Sequence, residues 1–174
     1  MTKIKLFVFD VDGVLTDGRL YISSNGEEIK AFHTQDGMGI SLAHYTGIKT
    51  AIITGRKSEA VTKRAHELKI NYVFQGIHEK LAILENIVQE LGINMNEVCY
   101  IGDDINDLPI LRMVGYPAAP FNAVAPVKEE VKYISLKNGG EGAVREIIDT
   151  VLAQQHDYSS LMEDYLSGKV RVVQ

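Results

Sequence analysis

The run Leu6-Phe7-Val8-Phe9-Asp10-Val11-Asp12-Gly13-Val14-Leu15-Thr16 constrains this chain more than any other part of it. An apolar, β-prone stretch stops abruptly at two carboxylates and a glycine. Residues i and i+2 of a strand project to the same side, so extended geometry carried on to Asp12 aims both acids at one small volume. Two unpaired carboxylates held together repel, and one is forced neutral unless a cation joins them. A strand closed by a simple Asp-Gly turn is the plain alternative. The residues nearer the carboxyl terminus decide between the two.

Beyond this run, apolar stretches alternate with amphipathic ones. Strands are expected at residues 3–9, 50–54, 72–74, 98–101, 116–118 and 133–134, and helices at 37–45, 57–68, 79–91, 106–114 and 142–154. Gly47 and Gly92 sit where helix C-caps belong, and Asn94 to Glu97 reads as a cap or turn before the next strand. This alternation predicts an α/β fold, a Rossmann-like, mostly parallel sheet with helices on both faces. Ligands of such sheets bind beyond the carboxyl ends of the strands, where the first pair of acids lies. One segment breaks the rhythm: residues 18–22 and 27–32 flank an Asn25-Gly26 turn and predict a β-hairpin placed as a flap beside those acids. The expected organisation is one domain over residues 1–154, with the hairpin at 18–33, and a tail over 155–174. The tail reads as polar, then helix-like, then extended at 170–173.

With 174 residues the chain has room for one good core. A net charge of −5 without a long Lys/Arg run argues against a nucleic-acid partner. Cys99 is the sole cysteine, so no internal disulfide is possible, and its apolar setting suits a buried thiol. No run of 18 apolar residues is present, so no membrane partner is expected and the anticipated location is cytoplasmic.

Three further strand ends carry matching chemistry. Ala51-Ile52-Ile53 leads into Thr54-Gly55-Arg56, a hydroxyl and backbone N–H groups suited to phosphate at the start of a helix. Lys80 opens the next helix, where its ammonium can reach the same volume. Val98 to Ile101 leads into Gly102-Asp103-Asp104-Ile105-Asn106-Asp107, a dense acidic loop. Oxygen-only ligands of this kind favour Mg²⁺ over softer metals. Singly each has an ordinary explanation, as a turn, a solvated lysine or a helix cap; in order, each behind an apolar strand, they are far more specific.

These residues resemble the motifs of the haloacid dehalogenase superfamily of phosphatases: Asp10-x-Asp12-Gly13-x-x-Thr16, then Thr54-Gly55, Lys80, and Gly102-Asp103-Asp104-x-Asn106-Asp107. Within it, Thr16-Asp17-Gly18, Thr34-x-Asp36-Gly37, Ile53 to Ser58, Phe74-Gln75-Gly76 and Gly139 to Glu146 are similar to the branch acting on 3-deoxy-D-manno-octulosonate 8-phosphate (KDO 8-phosphate), a lipopolysaccharide precursor. The resemblance implies Asp10 as nucleophile and Asp12 as general acid and base. Mg²⁺ would be held by Asp10, the Asp12 carbonyl and Asp103, with Asp104, Asn106 and Asp107 in support behind them. Thr54, Gly55 and Lys80 would grip the phosphoryl group. Arg56 would take the sugar-acid carboxylate, with Thr16, Gln35 and Arg64 as further substrate contacts.

The intervals between Asp12 and Thr54, and between Thr54 and Lys80, have no room for a cap domain. An open site of this kind is either plugged by a large substrate or covered by a neighbouring subunit. The resemblance implies the second, in a homotetramer whose hairpins help form its centre, with the 139–142 glycine-rich loop and the tail as further candidates for meeting a neighbour's site. Three other readings stay open: a phosphatase for a nine-carbon keto acid 9-phosphate, a phosphoprotein phosphatase, or a non-catalytic oligomerisation module.

Overall fold

Along β1 (Leu6–Phe9) every side chain is buried, which requires a strand covered on both faces. The computed structural model describes residues 2–168, and its elements after β1 are β2 (Tyr21–Ile22), β3 (Glu28–Ile29), α1 (Thr34–Tyr45), β4 (Lys49–Thr54), α2 (Glu59–Glu67), β5 (Tyr72–Gln75), α3 (Lys80–Leu91), β6 (Val98–Ile101), α4 (Leu108–Leu111), β7 (Tyr116–Ala119), α5 (Ala125–Glu130), β8 (Tyr133–Ile134), α6 (Ala143–Gln155) and α7 (Tyr158–Leu166). Short 3-10 turns at Met95–Glu97 and Ile105–Asp107 precede β6 and α4.

Six strands form one sheet in the order β5-β4-β1-β6-β7-β8, and every pairing is parallel. Phe9 is in register with Ile52 on one side and Ile101 on the other, so β1 and β6 end level and β4 runs on to Thr54. The chain runs outward from β1 through β4 to β5, then returns to β6 on the opposite flank. That reversal is the switch point beside which open α/β sheets leave a crevice.

The period-two alternation of β1 divides the core. Phe7 and Phe9 join Ile52 and Ile101 beneath Ile40 and Leu42 of α1, Val61 of α2 and Ile147, Ile148 and Val151 of α6. Leu6 and Val8 join Ile53 and Tyr100 beneath Leu84 and Ile87 of α3, Ile110 of α4 and Val127 of α5. Helices thus cover both faces, as the sequence pattern predicts. The hairpin is present as the antiparallel pair β2–β3.

Several boundaries differ from expectation for local reasons. α1 starts three residues earlier, because the His33 ring caps it by accepting from the Gln35 N–H. α2 starts at Glu59, leaving Lys57 and Ser58 in the loop; the extended Ser58 gives its N–H to the Gln75 side chain at 2.8 Å. The expected helix over 106–114 is a 3-10 turn followed by the single turn of α4. α5 escaped the pattern because it is so short, although proline at its first turn is a start signal. In the expected tail, α7 is capped by Asp157 and buries Leu161 against the core. The extended stretch anticipated at 170–173 lies outside the described residues.

Candidate active site

β1 ends at Phe9, so Asp10 and Asp12 leave the strand through a turn and not by strand alternation. The turn is built on the Val11 carbonyl, which accepts from the N–H groups of Val14, Leu15 and Thr16. Both acids reach an open cavity of about 240 Å³ beyond the strand ends, lined also by Gly18, Thr54, Gly55, Arg56, Asp103, Asp104 and Asn106. The loops after β1, β4 and β6 meet there, beyond the carboxyl ends of three adjacent parallel strands.

Asp10 is buried and doubly fixed: Oδ1 accepts from the Val11 N–H at 2.7 Å, and Oδ2 lies 2.9 Å from the Lys80 ammonium. Burial, followed by the nearby Asp107 charge, pushes its pKa up to about 6 against the opposing pull of Lys80. Lys80 is itself buried at the start of α3. Burial disfavours its charge, but Asp10 and Asp107 outweigh that and hold it protonated. Asp103 is pushed up to about 7, by burial first and then by the Asp10, Asp107 and Asp104 carboxylates.

Asp10, Asp103 and Asp107 place carboxylate oxygens within 4.8 Å of one another. Their lone pairs are not equally free. Asp107 Oδ1 accepts from Lys80 at 2.8 Å and from the buried Tyr100 hydroxyl at 2.6 Å, while Oδ2 accepts from the Asp103 and Asp104 N–H groups at 3.0 and 3.4 Å. Asp107 therefore braces the loop and Lys80, and Asp10 and Asp103 are the carboxylates left to bind a cation. Crowded oxygen donors whose negative charge is offset only in part by one lysine fit a hard dication such as Mg²⁺. The fit extends to Gly13, where a Cβ would fall 2.0 Å from Asp103 Oδ2; only glycine leaves that carboxylate its place.

The other expected contacts divide. Thr54 and Gly55 line the cavity, but α2 begins only at Glu59, so their amides belong to a loop and not to a helix N-terminus. Asp104 caps the 3-10 turn, accepting from the Ile105 N–H, and shares a reciprocal cap with Asp107. Thr16, expected as a substrate contact, is 2% exposed, and its hydroxyl bonds within its own loop to the Val11 carbonyl and the Gly13 and Gly18 N–H groups. Arg64 lies in a second, small cavity with Phe32, Asp36 and Val61, against Gly37 of α1 and paired with Glu67 at 3.2 Å. Gln35 is exposed on the first turn of α1, beside Gly142. Arg56 lines the cavity with its guanidinium paired to Glu28 Oε2 at 2.5 Å and its Nε 3.9 Å from Asp12 Oδ2.

Sequence reasoning missed Tyr100, Glu28 and Lys30. Lys30 bonds to Asp12 Oδ1 and lies 2.9 Å from Glu28 Oε1. Burial works against its charge, yet those two acids more than compensate and raise its pKa. Its one signal was the alternation Glu28-Ile29-Lys30, which turns both charged residues to the same side of the hairpin.

A buried, lysine-fixed carboxylate, a second acid beside it and an oxygen-only cation site on a Rossmann-like sheet are the parts of a metal-dependent phosphohydrolase. Residues 73–148, which include Lys80 and the acidic loop, match the family model of haloacid dehalogenase-like hydrolases. The 3-deoxy-D-manno-octulosonate 8-phosphate phosphatase KdsC of Escherichia coli K12 is 41% identical over 153 residues, 88% of this chain and 81% of that protein. The crystal structure of a probable yrbi family phosphatase from Pseudomonas syringae superposes with a TM-score of 0.91 at 47% identity, covering 94% of this chain and 93% of that one. The Moraxella catarrhalis 3-deoxy-D-manno-octulosonate 8-phosphate phosphatase, solved with magnesium, phosphate and KDO, superposes at 0.90 with 41% identity, covering 93% of each chain. The chain belongs to the haloacid dehalogenase-like hydrolases and, within them, to the family of the 3-deoxy-D-manno-octulosonate 8-phosphate phosphatases.

Proposed function

We propose that this protein hydrolyses KDO 8-phosphate to KDO and phosphate, a step of lipopolysaccharide precursor synthesis, through an aspartyl-phosphate on Asp10. The observation that carries the reading is the pairing of a buried, lysine-fixed Asp10 with a half-exposed Asp12 at the same cavity. One carboxylate is immobilised for attack, and the other stays accessible for proton transfer.

The Asp10 carboxylate attacks phosphorus as the bond to the sugar oxygen breaks. Asp12 gives its proton to that departing oxygen, then takes one from the water that attacks the same phosphorus. Cleavage of the bond to Asp10 frees phosphate and restores the carboxylate. Thr54, the Gly55 N–H and Lys80 hold the phosphoryl oxygens while charge spreads over them. Bound by Asp10, the Asp12 carbonyl and Asp103, Mg²⁺ supplies the positive charge that lets an anionic nucleophile meet an anionic phosphate. Asp107 and Asp104 keep their loop in shape, and Asn106 borders the cavity.

Arg56 takes the substrate carboxylate in this reading, exchanging its Glu28 partner for the ligand's planar oxygen pair. The cavity is open on the single chain, so we further propose a homotetramer whose neighbours cover it. The hairpin is the contact region, since Leu20, Tyr21, Ile22 and Ile29 are all exposed. The buried, unpaired Cys99 suits the reducing cytoplasm in which the reading places the protein.

Phosphate release in Mg²⁺ from KDO 8-phosphate, nine-carbon keto acid 9-phosphates, simple sugar phosphates and a phosphopeptide tests the assignment. KDO 8-phosphate is expected to be preferred, with EDTA abolishing turnover and Asp10→Asn lowering it by at least about 10⁴-fold. Preference for a nine-carbon acid would keep the chemistry and overturn the substrate. Release unaffected by Asp10→Asn would overturn the mechanism.

A further inference from the structure

Lys30 is a buried cation that no step above uses; its side chain is only 1% exposed. It follows β3 directly, with Glu28 turned to the same side and Ile29 turned outward. Its ammonium bonds to Asp12 Oδ1 and forms an ion pair with Glu28 Oε1 at 2.9 Å; Glu28 Oε2 holds Arg56, and the Arg56 Nε stands 3.9 Å from Asp12 Oδ2. Two acids and two cations thus close a ring that runs from the hairpin to the loop after β1.

The two aspartates of that loop are held in different ways. Asp10 is fixed by the backbone of the next residue and by Lys80. Asp12 receives its one side-chain hydrogen bond, among the described residues, from Lys30. Enclosing an ammonium is costly unless it is paired, so a hairpin that delivers Lys30 to this point holds the acid it meets in one place.

We propose that Lys30 is a positioning residue for the reaction: it anchors Asp12 Oδ1 and so presents Oδ2 to the oxygen that leaves and, in the second step, to the water that attacks. The proposal rests on the reading of Asp12 as the acid and base. Proton transfer demands hydrogen-bond reach, roughly 2.6–3.2 Å between heavy atoms. A displacement of about 1 Å can cost on the order of 10²-fold. An Asp12 freed from Lys30 can turn Oδ1 or Oδ2 either way and spends less time aligned.

The leaving group provides the test. The sugar alkoxide of KDO 8-phosphate needs a proton to depart, whereas 4-nitrophenolate leaves unprotonated. Single-turnover release of KDO and of 4-nitrophenol is measured on the Mg²⁺-loaded full chain for Lys30→Met, Lys30→Gln and Asp12→Asn. Lys30→Met is expected to slow KDO release by about 10–100-fold and to slow 4-nitrophenol release at least tenfold less. Lys30→Gln, which keeps an N–H donor, is expected to recover part of the loss, and it carries the same comparison if the Met variant does not fold. Equal losses on both substrates, or none, would overturn the proposal. Asp12→Asn separates the two layers. If it shows the leaving-group split while the Lys30 variants do not, Lys30 alone is misassigned; if it shows no split, the role of Asp12 fails and the proposal with it.

Discussion

Asp10 and Asp103 keep lone pairs free for a cation, and their burial sets how they contribute to the metal-free protein's response to pH. Burial, with the neighbouring carboxylates, pushes Asp10 and Asp103 up to about 6 and about 7. An aspartate in the unfolded chain titrates near about 4. Between those values the fold retains protons that the unfolded chain has released, so these two groups favour the fold below about pH 4 and lose that contribution as pH rises through about 7. A dication bound to the ionised pair reverses the loss and, by binding the fold alone, adds stability by mass action. The Mg²⁺-induced rise in melting temperature is therefore expected to be larger at pH 8 than at pH 5, by about 3 °C or more for a chain of this size. Differential scanning calorimetry with Mg²⁺ and with EDTA at both pH values checks this, and an equal rise at the two would place the metal away from these carboxylates. The acids, Thr54 and Lys80 were legible because each closes or follows an apolar strand, and a parallel sheet brings such ends together whatever lies between. Lys30 was not legible. A charged pair two apart on a hairpin reads as a solvated edge, and only the folding of that hairpin over Asp12 buries it.

Elements reveal a second kind of residue, present in the motifs for packing and not for chemistry. Asp36 accepts from the Arg145 N–H at 2.8 Å and so ties the first turn of α1 to that of α6. Gly39 lets the two helices close on Arg145, whose Cα would stand 3.2 Å from any Cβ added there. The Gly139-Gly140 loop lies on the loop of Asp10 and Asp12: Gly140 donates to the Val14 carbonyl at 3.0 Å, and Asn122 bridges the Gly139 N–H to the Gly13 carbonyl. The sequence singled out Asp36, Gly139 and Gly140 as parts of a signature and pointed the glycine-rich loop at a neighbour's site; helix–helix approach and loop stacking have no period to read. A Cβ on Gly139 would fall 1.8 Å from the Gly13 carbonyl oxygen, a backbone atom with no rotamer to yield. Gly139→Ala is accordingly expected to destabilise the protein by about 1–3 kcal/mol. Because Gly13 backs Asp103, the substitution should also raise the Mg²⁺ concentration needed for half-maximal turnover. Urea unfolding and a Mg²⁺ titration of phosphate release measure both; a loss of stability with unchanged Mg²⁺ dependence would confine the loop to a packing role.

At the scale of the whole molecule, the shortness of both inter-motif segments leaves the cavity uncovered from within. Only the hairpin, α1 and β4 itself stand between Asp12 and Thr54, and only α2 and β5 between Thr54 and Lys80. Water in an open site weakens each electrostatic contact on which phosphoryl transfer depends. The hairpin meets this problem with two different faces. Glu28 and Lys30 turn toward Asp12 and Arg56, while Ile29 and its cross-strand neighbour Tyr21, 63% and 43% exposed, turn away as an apolar patch that the proposed neighbouring subunit would bury. The separation of faces lets assembly be perturbed without touching the site. Ile29→Asp sets a charge into the proposed interface and leaves the Lys30 and Glu28 contacts intact. Light scattering after size exclusion is expected to show a species smaller than the tetramer proposed for the wild type. KM for KDO 8-phosphate is expected to rise by about tenfold as charged contacts to the substrate become solvated, an increment of roughly 1.4 kcal/mol in binding. A wild-type protein that is already monomeric at working concentration, or a dissociated variant with unchanged KM, would assign the covering of the cavity to the substrate itself.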